Sequence, residues 1–117
     1  MNYMAAPGIR PGATIMEFKD FEHITRTVCN ITGQEPGKVT VRTRRREIVW
    51  TRQVCMALGK LKTKNSLQSV GDYYGGFDHA TVNHAIKTVK NILETDRIIR
   101  QDYGHLFIGV TWPQFKN

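Results

Sequence analysis

The stretch Ser66-Leu67-Gln68-Ser69-Val70-Gly71-Asp72-Tyr73-Tyr74-Gly75-Gly76-Phe77-Asp78-His79-Ala80-Thr81-Val82-Asn83-His84-Ala85-Ile86, running on to Glu94, decides the fold. Ser66 is placed to cap a short helix, because a serine hydroxyl accepts a hydrogen bond from a free amide of the first turn. Leu67, Val70 and Tyr74 then share one face at helical spacing. Gly75-Gly76 ends that helix, since glycine enters the positive-φ region without a Cβ clash. Asp78 caps a second helix by the same logic as Ser66. Val82, Ala85, Ile86, Val89, Ile92 and Leu93 give this second helix one continuous apolar stripe. Two helices joined by a few residues containing glycine form the helix-turn-helix pattern, in which the start of the second helix faces the major groove of DNA.

Charge is concentrated just upstream. The chain of 117 residues carries a net charge of +7, with a pI near 9.7. Residues 38–64 hold nine basic residues, Lys38, Arg42, Arg44, Arg45, Arg46, Arg52, Lys60, Lys62 and Lys64, against the single acid Glu47. The remainder has eight basic and nine acidic residues, so the whole excess lies in one segment. A basic patch of this kind suits a polyanion. The length fits one domain with a modest core, and 40% hydrophobic residues suit a globular protein.

In chain order, residues 1–13 contain Pro7, Gly8, Pro11 and Gly12 and are expected to be a flexible lead-in. Thr14-x-x-Glu17 reads as a capping box opening a helix to about Ile31. Its stripe is Phe18, Phe21, Ile24 (or Thr25), Val28 and Ile31, and Gly33 closes it. Residues 33–43 are expected to form a loop. Its Gly33-x-x-x-Gly37-Lys38 resembles a phosphate-binding loop only superficially: one residue is missing between the glycines, and Val39 follows the lysine where Ser or Thr is required. From about Arg45 to Leu61 a further helix is expected, with Trp50, Val54, Ala57, Leu58 and Leu61 on its apolar face. Arg42 to Arg46 then crowd the helix N-terminus, where positive charge opposes the macrodipole and a phosphate would relieve the conflict. Lys60, Lys62 and Lys64 lie at the end the dipole favours, where a structural role and phosphate contact remain equal alternatives. Asp96 (or Thr95) opens a last helix bearing Ile99, Tyr103, Leu106 and Phe107, ended by Gly109. In the tail, 109–117, Trp112 and Phe115 either fold back on the core or offer a contact patch. The domain proper is thus 14–108.

The segment Gly75-Gly76-Phe77-Asp78-His79-Ala80-Thr81-Val82-Asn83-His84-Ala85 resembles the signature Gly-Gly-Arg-Asp-His-Ser/Thr-Thr-Val-x-His-Ala of the C-terminal DNA-binding domain (domain IV) of the bacterial replication initiator DnaA. The likeness continues upstream through Ser66-Leu67, Val70-Gly71, Arg52-Gln53 and the run Arg42 to Arg46, and covers roughly 18–108. It implies an all-α, Trp-repressor-like fold of about five helices, with a central helix-turn-helix preceded by a basic loop. It also implies a module standing apart from the initiator's ATPase region.

The resemblance implies roles for individual residues. Arg44 matches an arginine that enters the minor groove, with Arg46 two residues on; Arg42 and Arg45 complete the basic loop. Arg52, Gln53 and Lys60 match positions that hold the DNA backbone, and Lys64 extends the basic surface. Asp78, His79 and Ala80 begin the recognition helix: a carboxylate accepts from a cytosine amine, and the histidine ring and alanine methyl can meet thymine methyls. Asp78 is equally well read as a plain helix cap. Thr81 matches a phosphate-binding hydroxyl, and His84 reads as structural. Two departures stand out. Phe77 replaces the family's Arg, and Ala80 replaces Ser or Thr, so the binding mode is expected to survive while the initiator's box sequence is not. Phe77 can pack on a thymine methyl or under the turn.

The expected function is sequence-specific binding of double-stranded DNA, linked to control of a replication origin. The alternatives are a small transcription regulator, a mobile-element protein, or an interaction adaptor that has lost DNA specificity. No enzyme is expected, since no nucleophile–base pair or paired carboxylates stand at a workable spacing. No metal, cofactor or nucleotide is expected either. Cys29 and Cys55 form no CxxC pair and read as reduced thiols of a cytoplasmic, nucleoid-associated protein. No apolar run is long enough for a membrane span. RNA is disfavoured because no aromatic residues interleave the basic run. A protein partner for the tail stays open.

Overall fold

The structure, a computed structural model, describes residues 15–115. The described residues form six α-helices and a closing 3-10 turn, with no strand. In order these are α1 (Phe21–Thr32), α2 (Pro36–Val39), α3 (Arg46–Leu61), α4 (Leu67–Tyr73), α5 (His79–Thr95), α6 (Arg97–Tyr103) and the 3-10 turn Gly104–Phe107. The all-α expectation holds, with one helix more than the five expected: α2 is a single turn inside the supposed loop 33–43.

α3 is the axis of the fold. Thr51, Val54, Cys55, Ala57 and Leu58 have no exposed surface, and Ile48 and Met56 are nearly as deep. A helix buried on several sides in this way must be surrounded, and α1 and α5 pack on it most extensively. Val39 of α2, also fully buried, plugs one end. Tyr74, at the end of α4, is fully buried, and its hydroxyl lies 2.8 Å from that of Thr25 on α1. That pairing satisfies two polar groups in the core, where an unpaired hydroxyl would be costly. Burial beside Cys55 pushes the Tyr74 phenol far up, and burial pushes the Cys29 and Cys55 thiols up as well. Both cysteines are free.

The start of α1 corrects the capping-box reading. Thr14 and the lead-in 1–13 lie outside the described residues, and 15–18 are not helical. The helix begins at Phe21, where the Asp20 carboxylate accepts from the His23 amide at 2.8 Å. Residues 15–18 are used otherwise: Phe18 is buried, and the Lys62 ammonium donates to the carbonyls of Met16 (2.8 Å) and Ile108 (2.6 Å). One lysine thus ties both ends of the described chain to the end of α3. Of the two alternatives for Lys62, the structural role is the one seen: the ammonium is taken up by carbonyls of two distant segments.

At the other end, Asp96 caps α6 by accepting from Ile99 N at 3.0 Å. The expected single helix breaks into the 3-10 turn at Gly104. Arg100 donates back to the carbonyls of Leu93 (2.9 Å) and Glu94 (3.2 Å), satisfying the open end of α5. The Trp112 ring stacks on Phe107 at 5.2 Å, so the tail folds back onto the domain.

Candidate nucleic-acid interface

α4, the turn after it and α5 are built by local chemistry. The Ser66 hydroxyl accepts from Ser69 N at 3.0 Å, and the Asp78 carboxylate accepts from Thr81 N at 2.9 Å. Bonds from Thr81 hold the Asp78 carboxyl below its ordinary range. Between the caps, the amides of Gly76 and Phe77 both donate to the Gly71 carbonyl, at 2.9 and 3.0 Å. The chain therefore passes so close to α4 that a Cβ on Gly71 would lie 2.0 Å from the Phe77 carbonyl oxygen. Gly75, at φ +125°, lies under the Phe77 ring: a Cβ there would be 2.9 Å from Cε2. The sequence pattern points to Gly75-Gly76, but the tightest approach is at Gly71. Its signals in the sequence are a glycine inside a helix and the Val70-Gly71 pair of the resemblance, neither of which tells of a close approach.

The basic loop is fastened to this turn. Arg42 Nε donates to the Gly75 carbonyl at 3.1 Å, and a second nitrogen reaches the Gly76 carbonyl. Arg52 reaches from α3 into the same corner. It is only 7% exposed, and it donates to the loop carbonyls of Val41 (3.4 Å) and Thr43 (3.3 Å). Both guanidiniums lie over the Phe77 ring, 4.4 Å (Arg42) and 4.6 Å (Arg52) from its centroid. The ring's negative π face holds the two cations together, offsetting their repulsion. Desolvation, then the neighbouring Arg42 charge, draws the Arg52 pKa below its usual value.

The remaining expected contact residues divide by exposure. Arg44 and Arg46 are exposed and form no ion pair among the described residues. Arg45 is exposed and lies 3.2 Å from the Glu47 carboxylate. Gln53 and Lys60 are half-buried, the Lys60 ammonium 3.5 Å from the Asn65 carbonyl, and Lys64 is exposed. Asp78, His79, Ala80 and Thr81 are all exposed at the start of α5. The fold thus brings the loop Arg42 to Arg46 beside the start of α5, with Arg52 beneath. Lys60 and Lys64 sit at the far end of α3 and beyond it. His84, read as structural, is exposed, and its ring meets only the Thr88 hydroxyl at 3.4 Å.

Two capped helices, a turn closed on an interior glycine and an exposed arginine loop clamped to that turn form one helix-turn-helix unit with a basic face. The family model of the bacterial dnaA protein helix-turn-helix matches residues 21–89, more than half of the chain. The chain belongs to this family. DNA binding comes with membership in the DnaA helix-turn-helix family, and the matched span takes in everything from α1 to the first three turns of the recognition helix α5. The end of α5, α6 and the tail lie outside the match. No helix among the described residues is long and apolar enough to cross a membrane.

Proposed function

We propose that this chain is a non-enzymatic module that binds double-stranded DNA at a specific sequence, with α5 in the major groove and Arg44 in the adjacent minor groove. The observation that carries the reading is the clamp: Arg42 ties the arginine loop to the Gly75 and Gly76 carbonyls at the mouth of the recognition helix. Two groove-reading elements joined in this way meet a duplex as one rigid unit. Arg45, Arg46, Gln53, Lys60 and Lys64 supply phosphate contacts, which give affinity and salt dependence without sequence information. Asp78, His79, Ala80 and Thr81 face the bases and the neighbouring phosphate. Arg52 acts from behind and Arg42, itself exposed, from the surface, both holding the loop through carbonyls and Phe77.

Family membership favours one biological setting, an origin-linked regulator in the cytoplasm, acting at the nucleoid. Phe77 and Ala80 favour a second reading, in which the target is not the initiator's box and the protein regulates transcription or serves a mobile element. A guanidinium able to pair with guanine is absent at Phe77, which removes about 1–3 kcal/mol of discrimination at one base pair. Affinity for random duplex and for box-bearing duplex at two salt concentrations tests both. Salt-dependent binding that prefers the box supports the origin-linked role, and equally salt-dependent binding without that preference supports the second. Absence of binding at low salt overturns the proposal.

A further inference from the structure

Between the two helices of the motif lies an open cavity of about 390 Å³, lined by Gln68, Phe77, Asp78, His79 and Ala80. It sits where the proposed function brings base edges, so any role for it in base recognition rests on that reading. Its lining is mostly apolar, from Phe77 and the Ala80 methyl. Asp78 contributes a carboxylate at the rim, which disfavours a phosphate as occupant. Gln68 comes from the second position of α4 and is exposed, and its side chain makes no hydrogen bond to another described residue. Its amide is therefore free at the edge of an apolar recess.

We propose that this cavity reads a T·A base pair, and that Gln68, on the first helix of the motif, is a specificity-determining residue. The recess is large enough for the edge of a base pair. Of the four edges in the major groove, only thymine presents a methyl group to bury, and only adenine presents the acceptor–donor pair, N7 and N6–H, that a glutamine amide meets bidentately. A G·C pair would offer the Gln68 amide only the O6 and N7 acceptors of guanine, leaving its carbonyl without a donor. It would also give Phe77 and Ala80 no methyl group to meet, while the Asp78 carboxylate, able to take a cytosine amine, is engaged by the Thr81 amide. Phe77 is held in place for this by Arg42 and Arg52. The ring thus works twice, as the anchor of the basic loop and as the wall of the recess.

The test is selection from a pool of random duplexes with the full chain and with Gln68→Ala. Exposure of Gln68 makes the variant safe for folding, and its thermal unfolding is measured alongside. The wild-type chain is expected to select a site with one strongly preferred T·A pair at which Gln68→Ala shows a weaker preference, the methyl contact alone remaining. Uracil in place of that thymine should weaken wild-type binding about three- to fivefold, the worth of one buried methyl group. Replacing the paired adenine by 7-deazaadenine should weaken the wild type about tenfold and the variant hardly at all. If both chains select the same site with equal preference, or uracil is tolerated at every selected thymine, the inference falls while the DNA-binding reading stands. If the wild-type chain retains no duplex, both fall.

Discussion

The Arg52 guanidinium, at 7% exposure, lies 4.6 Å from the centroid of the Phe77 ring, and this contact joins the centre of α3 to the turn of the DNA-reading motif. A buried cation needs partners, and Arg52 finds two loop carbonyls and an aromatic face. The residue at 77 therefore decides both the surface chemistry of the turn and the stability of the corner behind it.

Phe77→Arg, which restores the residue of the signature this sequence resembles, is expected to destabilise the chain. It would place a third guanidinium beside Arg42 and Arg52 and remove the ring that holds them. Phe77→Leu keeps apolar bulk and loses the cation–π attraction, about 1–2 kcal/mol at a part-desolvated site. Urea unfolding should rank wild type above Phe77→Leu, and Phe77→Leu above Phe77→Arg. The opposite order would show that the two arginines do not depend on the ring.

Gly71→Ala should cost about 1–3 kcal/mol or more, because the new methyl meets a backbone carbonyl that cannot rotate away. Gly37→Ala, with nothing within 4 Å of the added Cβ, is the control and should leave the melting temperature nearly unchanged. Calorimetry on both variants checks the difference.

Arg44→Ala is expected to leave stability within about 0.5 kcal/mol of wild type, since exposed side chains without partners contribute little. Its affinity for duplex DNA should drop, and the slope of log affinity against log salt should fall by about one. A titration at four salt concentrations separates this loss of one charge contact from a change of fold.

Lys62→Met should behave in the opposite way. The two carbonyls of Met16 and Ile108 lose their donor, at a cost of about 1–3 kcal/mol. The salt slope of DNA binding should not move, because this ammonium is engaged inside the protein. A reduced slope would return Lys62 to the phosphate-contacting set.

Asp78 sets an acid limit on the recognition helix. Its folded-state pKa is depressed below the ordinary 3.8, chiefly by the bond from the Thr81 amide. Its stabilising contribution is thus present above that ordinary value and is lost as pH falls through the lower, folded-state value. Asp78→Asn, which keeps an accepting oxygen without the charge, should flatten this part of the acid limb. Unfolding free energies between about pH 5 and pH 2 measure it.

Much of the architecture is legible in the sequence because its signals are short-range. Ser66, Asp78 and Asp96 act on amides three residues away, and all three cap the helices expected of them. The apolar stripe of α5 is buried at Val82, Ala85, Ile86, Val89 and Leu93. The start of the first helix is not legible, for the same reason in reverse. Asp20 is as good a local cap as Thr14, and only the packing of Phe18 and the reach of Lys62 decide between them.

By itself, then, the sequence determined an all-helical chain, a helix-turn-helix at 66–94 and an arginine run before it, since caps, turns and helical periodicity act within a few residues. Which of the basic residues face solvent was decided only by the tertiary structure. Arg42 meets its carbonyl acceptors 33 and 34 positions along the chain, and Lys62 meets each of its own 46 positions away. By charge and spacing alone, the resemblance aside, Arg42, Arg44 and Arg52 cannot be told apart in the sequence. In the fold, one clamps the turn, one is left free and one is buried against Phe77, because a cation's role is set by which partners the chain brings to it from far away.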